Sequence, residues 1–149
     1  MTFNYNGNGI KPIDGSFVVI PEGEYKLVIS NTKESRTKND DPCIIVDFKV
    51  VGGVHDGIPI RFHRVTFFGR DEEGKPRSGA GIAVHFLKTI GQPWEGNYEV
   101  NHLRWRGREL QAHVIQEEYK DKINNKIKIN NKIKSVAALT ESEMSDISF

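Results

Sequence analysis

The sequence is poor in cysteine and has no long hydrophobic run. Cys43 is the only cysteine, so the chain cannot form an internal disulfide, and the thiol is expected to pack as a small apolar residue in a reducing cytoplasm. Apolar stretches such as residues 17–20 and 43–46 are far too short to cross a bilayer. The N-terminus lacks the basic start and apolar run of a signal peptide. We therefore expect a cytoplasmic protein with no membrane partner.

Net charge is nearly absent, but the charges are unevenly distributed. The formal net charge is +1, and residues 141–149 hold three acids and no base, so residues 1–140 carry +4 against −3 at the end. A basic body with a short acidic end hints at nucleic-acid binding by the body. At 149 residues, one folded domain is the natural count.

Hydrophobic periodicity predicts five strands and one helix. Between the third and fourth strands, Ile82, Phe86 and Ile90 recur at helical spacing. Ser78 is the expected N-cap of this helix and Gly91 its expected end. The predicted strands, which alternate apolar and polar residues between turn signals, are residues 23–30, 43–51, 58–68, 108–119 and 126–136.

The order of these elements predicts a mainly β fold. Three strands, a helix and two strands match a five-stranded OB-type Greek-key barrel, in which one helix between strands 3 and 4 plugs an end. A β-sandwich with an inserted helix is the alternative, although five strands are few for it. We expect a flexible N-terminal arm at residues 1–20, the OB-fold domain at residues 21–138 and a disordered acidic tail at residues 139–149.

Enzyme signatures are weak in this sequence. The glycines of residues 79–84 follow a loop rather than a strand, and Val84 stands where a dinucleotide-binding turn needs its third glycine. One cysteine and five scattered histidines give no zinc spacing. The acidic pairs and clusters fall in predicted loops or at a strand end, where we expect solvated charges. The sequence therefore predicts no catalytic residue, no metal site and no cofactor.

Basic and aromatic residues are interleaved in two segments, residues 61–70 and 102–108. Single-stranded nucleic acid suits this mixture, because cations follow the phosphates and flat rings stack on unpaired bases. Alternation from Ile60 predicts a buried Phe62, with one of the next two rings facing outward. The alternative is that the rings are core residues and the arginines are only solvated. The candidate binding residues are Arg61, Arg64, Phe67, Phe68, Arg70, Arg104, Trp105 and Arg106.

Lysines and one loop extend this predicted binding surface. The lysines of the last strand fall on one side of it, where they can track a phosphate backbone, although lysines also protect exposed sheet edges from aggregation. The loop at residues 32–38 follows the first strand, and in OB folds that loop commonly grips the ligand. The lysines of the strand are Lys126, Lys128, Lys132 and Lys134, and the loop adds Lys33, Arg36 and Lys38.

The C-terminal residues resemble the tip of bacterial and phage single-stranded-DNA-binding proteins. Those tips end in acids followed by a short apolar tripeptide that finishes on Phe, and residues 146–149 read D-I-S-F here, with further acids upstream. The resemblance implies that Asp146, Ile147 and Phe149 dock replication or recombination proteins, with the ring in a pocket of the partner. Ser148 departs from the usual Pro.

The body resembles a phage family of single-stranded-DNA-binding proteins over roughly residues 20–136. The matching segments are IPEGEYKLVI (20–29), DFKVVGGVHDGIPI (47–60) and LRWRGRELQAHV (103–114). They correspond to a P-x-G-x-Y opening, a G-x-x-DG hairpin and a late G-[KR]-x-L strand start. The family is usually encoded near recombination or replication genes.

Taken together, these patterns predict a sequence-independent single-stranded-DNA-binding protein of phage replication or recombination, in the host cytoplasm. It would coat DNA by phosphate contacts and base stacking and recruit partners through its tip. RNA is an alternative ligand, and self-association into a homo-oligomer stays open. Two other functions remain as alternatives. One is a metal-dependent nuclease or another nucleic-acid-processing enzyme, and the other is an OB-like protein-interaction domain without a nucleic-acid role.

Overall fold

The computed structural model describes residues 2–9 and 19–139. The predicted order of three strands, one helix and two strands is confirmed, with a short 3₁₀ turn, His102–Trp105, before the fourth strand. The elements are β1 (Gly23–Arg36), β2 (Pro42–Val50), β3 (Pro59–Thr66), α1 (Ala80–Thr89), β4 (Glu109–Lys120) and β5 (Ile127–Ala137).

All five strands belong to one antiparallel sheet in the order β3-β2-β1-β4-β5. The protein is therefore mainly β, with a single sheet rather than the two sheets of a sandwich. Strands β3 and β5 are the edges, and within residues 19–139 no ladder of hydrogen bonds joins them, so the sheet is open. Their Cα atoms nevertheless come within 8 Å of each other.

Three irregularities in strand pairing bend the sheet. Ser30 in β1 and Lys134 in β5 are extra residues relative to their partner strands, and a third shift lies between β2 and β3. Each bulge reverses the in-and-out alternation of the residues beyond it and increases the local twist. These shifts decide which side chains reach the surface, and the alternation seen in the sequence does not reveal them.

The core lies on the inner face of the bent sheet, under α1. Phe86 of the helix contacts Phe48 of β2 and Trp105, with ring centroids 6.5 and 5.4 Å apart. Most of the inner strand residues beneath them are apolar and buried. Ile20 is also buried, because its N–H donates to Asn131 Oδ1 and its carbonyl accepts from Gln116 Nε2. Residue 20 therefore packs with the body that follows it.

The ends of α1 differ partly from the prediction. Gly79 is the N-cap residue, at φ 90°, with no side-chain cap, so the expected Ser78 cap is wrong. A Cβ at Gly79 would lie 3.1 Å from Cε2 of Phe68, which leaves glycine as the fitting residue there. Gly91 follows the C-cap at φ 71°, as expected for a helix end. Ile82, expected on the buried face, is 66% exposed.

The predicted arm and tail are described only in part. Residues 2–9 of the arm are exposed, and residues 10–18 lie outside the described residues. Of the predicted tail, only Leu139 is described. The predicted partner-binding residues Asp146, Ile147 and Phe149 therefore lie outside the described part of the chain.

Candidate nucleic-acid interface

Strand β3 turns an aromatic ring outward at a bulge. Val46 pairs with His63 and Phe48 pairs with Ile60, so Arg61 and Phe62 both lie opposite the single residue Asp47. Phe62 adopts a left-handed backbone, φ 64°, and is 78% exposed. The prediction that Phe62 is a core residue is wrong, because the extra residue shifts the alternation. A bulky residue at positive φ is strained, and such strain is often associated with a functional site.

Cations surround this ring on the outward face of β1, β2 and β3. Lys33, Ile45 and Arg64 are directly paired across the three strands, so the backbones of Lys33 and Arg64 lie two strand spacings apart, roughly 9–10 Å. Lys49 lies on the same face of β2, four residues beyond Ile45. Lys33, Lys49 and Arg64 are all exposed. We define the β1–β3 face as Lys33, Lys49, Arg61, Phe62 and Arg64.

The charges of the β1–β3 face are not neutralised by ion pairs. Among the described residues, none of its four cations lies within 4.0 Å of a carboxylate oxygen. The acid in the middle of the face is Asp47, and its Oδ1 accepts the N–H of Phe62 at 3.1 Å. A group of free cations around an exposed ring suits a polyanion that also carries flat rings.

The lysines of β5 are arranged differently from the prediction. Lys128 and Lys132 do share one strand face. Their Nζ atoms, however, each lie 2.7 Å from a carboxylate, Asp121 for Lys128 and Glu117 for Lys132. The side-chain hydrogen bond between Lys128 and Asp121 raises the pKa of the lysine and lowers the pKa of the carboxyl. These two lysines are therefore engaged within the β4–β5 hairpin.

The structure also places the remaining predicted lysines and the first loop differently from the prediction. Lys126 precedes β5, and Lys134 is the extra residue of its bulge, so the expected row of four lysines is broken. Strand β1 continues to Arg36, which leaves only residues 37–41 as the loop before β2. Arg36 pairs with Asp40 in that loop at 3.5 Å, whereas Lys38 is exposed.

Trp105 is a core residue, and the prediction that it stacks on bases is wrong. It is 1% exposed, and its ring centroid lies 5.4 Å from that of Phe86 and 6.3 Å from that of Phe67. The 3₁₀ turn directs the indole inward and leaves Arg104 exposed. Arg106 is bound to the edge of β1, where its Nη2 donates to the carbonyl of Thr32 at 2.9 Å.

The rings after β3 are not exposed either. Phe67 packs partly buried against the core, and Phe68 lies half-buried beneath Arg77, whose Cζ is 5.3 Å from the ring centroid. The expectation that one of these two rings faces outward is therefore wrong, because the core covers Phe67 and Arg77 covers Phe68. Arg70 is exposed, and its Nη1 donates to the carbonyl of Gly74 at 2.9 Å.

A groove of about 320 Å³ lies between β3, α1 and β5, where the sheet stays open. We call it the seam groove, and it is lined by apolar side chains together with His63, His85 and Lys134. Burial, with a smaller effect from the charge on Lys132, lowers the pKa of His63 from 6.5 to about 4. His63 is therefore a neutral imidazole at neutral pH.

The described residues hold neither a group of metal ligands nor a membrane-spanning helix. In residues 2–9 and 19–139, no three His, Cys, Asp or Glu side chains are grouped so that they can hold a metal ion. Over the same residues, no helix has the length and apolar character needed to span a membrane.

The chain belongs to the family described as "Protein of unknown function (DUF669)", whose model matches residues 3–143. The matched region includes α1 and all five strands. No curated protein matches the sequence. The family description names no ligand or reaction.

Proposed function

We propose that the protein binds single-stranded DNA without sequence preference, through the β1–β3 face, and acts by binding rather than by catalysis. One observation carries the proposal: four cations without carboxylate partners, among the described residues, surround the strained and exposed ring of Phe62. Phosphates would contact the cations, and an unpaired base would stack on Phe62. Base–aromatic stacking contributes about 1–3 kcal/mol per base.

The open sheet supports an OB-type barrel as the finer description of the fold. Strands β3 and β5, the two edges, are the pair that would close the barrel, and their Cα atoms already approach within 8 Å. The helix α1 lies between β3 and β4 in the chain and packs near both edges. Barrels of this type commonly bind oligonucleotides on one strand face.

We place this binding in phage DNA replication or recombination, on the basis of the sequence resemblance described above. The proposed partners are single-stranded DNA, with RNA as the alternative, and replication or recombination proteins that dock on the C-terminal tip. Asp146, Ile147 and Phe149 would make the contacts of the tip.

The test is a titration of the full chain with fluorescent oligo-dT, duplex DNA and RNA of equal length at two salt concentrations. We expect the tightest binding to oligo-dT, since a duplex does not present its base faces for stacking. Affinity should fall as salt rises, because neutralised phosphates release counterions. Equal or tighter binding to the duplex would contradict the proposal.

A further inference from the structure

The shape and lining of the seam groove suit a flat, ring-shaped ligand. It lies between β3, α1 and β5, and its lining includes the rings of Phe86, His63 and His85. Its volume of about 320 Å³ lies at the lower end of the roughly 300–1,000 Å³ typical of small-ligand sites. That volume suits one heterocyclic ring better than an extended peptide, which would need a longer channel.

His63 supplies unused hydrogen-bonding groups in this groove. It contacts Phe48 and Phe86, with ring centroids 5.8 and 5.9 Å away, but its ring nitrogens make no hydrogen bond to any other described residue. A neutral imidazole carries one N–H donor and one acceptor nitrogen. The edges of unpaired bases present the same combination of donors and acceptors.

On the helix side of the groove, neither the backbone conformation nor close packing requires a glycine at residue 81. Gly81 lines the groove, its φ is not in the left-handed region, and a Cβ there would meet no atom within 4 Å. Glycine in a helix is less stable than alanine. Its presence leaves room for a ligand to come close to the helix backbone.

The groove and the β1–β3 face lie on opposite sides of the edge strand β3. His63 lies between Phe62 and Arg64 along β3, so the residues on either side of it belong to the face while its own ring lines the groove. Lys134 lines the opposite side on β5. Because β3 is an edge strand, a DNA strand bound on the β1–β3 face can reach the groove by crossing the β3 edge, with Arg64 on one side and Lys134 on the other for its phosphates.

We infer that the seam groove receives one unstacked nucleobase of the bound strand, with His63 hydrogen-bonding to the base edge and Lys134 contacting a neighbouring phosphate. This inference rests on the proposed function, because it requires DNA on the β1–β3 face. It adds a second base site, across β3 from the exposed stacking ring of Phe62.

A groove-filling variant tests the inference against a matched control. A Cβ at Gly81 would meet no atom within 4 Å, so Gly81→Phe is designed to place a ring in the groove that Gly81 lines, whereas Gly81→Ala adds only a methyl group. Both variants and the unchanged protein are titrated with oligo-dT and with a strand of equal length carrying stable abasic sites, and thermal unfolding confirms that each is folded. We expect Gly81→Phe to weaken oligo-dT binding roughly five- to tenfold, with unchanged abasic binding, and Gly81→Ala to behave like the unchanged protein.

Photo-crosslinking gives a second readout that needs no substitution. A strand containing 5-iodouracil is irradiated with the unchanged protein, and trypsin cleavage after Arg77 and Lys88 releases residues 78–88, which contain the helix side of the groove. We expect a crosslink on this peptide, and its loss in Gly81→Phe. Crosslinks confined to peptides outside the groove would overturn the inference.

The outcomes separate the inference from the proposed function. If neither the unchanged protein nor the two variants bind oligo-dT, the proposed function fails and the inference fails with it. If oligo-dT binds but Gly81→Phe leaves its affinity unchanged, the inference alone is overturned.

Discussion

The carboxylate of Asp47 holds the backbone of Phe62, since Oδ1 of Asp47 accepts the N–H of Phe62 at 3.1 Å. Phe62 has a left-handed backbone, which costs an L-residue roughly 1–2 kcal/mol. A hydrogen bond from a backbone N–H to a charged acceptor contributes about 1.5–3 kcal/mol and can offset that cost. Asp47, which lies opposite Arg61 and Phe62, thus stabilises the backbone conformation that turns the ring outward.

Two substitutions of Asp47 separate its charge from its hydrogen bond. Asp47→Asn keeps an acceptor oxygen for the Phe62 N–H and removes the negative charge, so oligo-dT binding should tighten modestly at low salt. Asp47→Ala removes both, and we expect it to bind oligo-dT more weakly than Asp47→Asn at every salt concentration. Parallel titrations measure the difference, and identical affinities of the two variants would show that the hydrogen bond does not position the ring.

The free cations of the β1–β3 face should control the salt dependence of binding. Arg64→Ala should flatten the slope of log affinity against log salt by roughly one unit, since one phosphate contact is lost. Lys75→Ala is the matched control, because Lys75 lies in the loop after β3 and pairs with Glu73 at 3.6 Å. Titrations at four or more salt concentrations give both slopes. An equal change in the two variants would argue against a specific phosphate site at Arg64.

Burial of His63 should make the stability of the fold depend on pH. Its pKa is lowered to about 4 in the folded protein, so below pH 6.5 the unfolded chain takes up a proton that the folded chain does not. The contribution of neutral His63 to the free energy of unfolding is therefore fully present above about pH 6.5. It is lost as pH falls toward 4, and the loss is at most about 3 kcal/mol. Urea unfolding of the unchanged protein and His63→Gln at several pH values isolates this contribution. Parallel pH profiles would contradict it.

The acidic C-terminal residues should weaken DNA binding at low salt. Residues 141–149 carry three acids and no base, so they can compete with phosphates for the cations of the body. Deleting them should tighten oligo-dT binding modestly at low salt, and less at high salt, where the competition is screened.

Deleting Phe149 alone should leave DNA binding unchanged and abolish the capture of replication or recombination proteins from a host lysate. Capture of the same proteins by both forms would count against a docking role for the tip.

The order of the elements could be predicted because periodicity is a local property of the sequence. Alternation located all five strands, with ends within a few residues for β2 to β5. Strand β1 runs six residues beyond its predicted end, from residue 30 to Arg36. The added residues pair with β2 but are mostly polar and exposed, so no apolar alternation marks them.

The exposed ring could not be predicted from local alternation, because a bulge depends on the partner strand. Counting from Ile60 placed Phe62 in the core, and the shift opposite Asp47 reversed that assignment. Burial of Trp105 could have been predicted, since so large a ring is on average highly buried. Pairing of Lys128 and Lys132 with acids depends on the hairpin register, which periodicity alone does not give.

The most direct test of the account is the effect of Phe62→Ala on oligo-dT binding. The titration is made at two salt concentrations, beside Val54→Ala, a control that removes an exposed apolar side chain from the loop between β2 and β3. We predict that Phe62→Ala loses about 1–3 kcal/mol of binding free energy with an unchanged salt slope, while Val54→Ala binds like the unchanged protein. Unchanged oligo-dT affinity in Phe62→Ala would contradict the β1–β3 face as the binding surface.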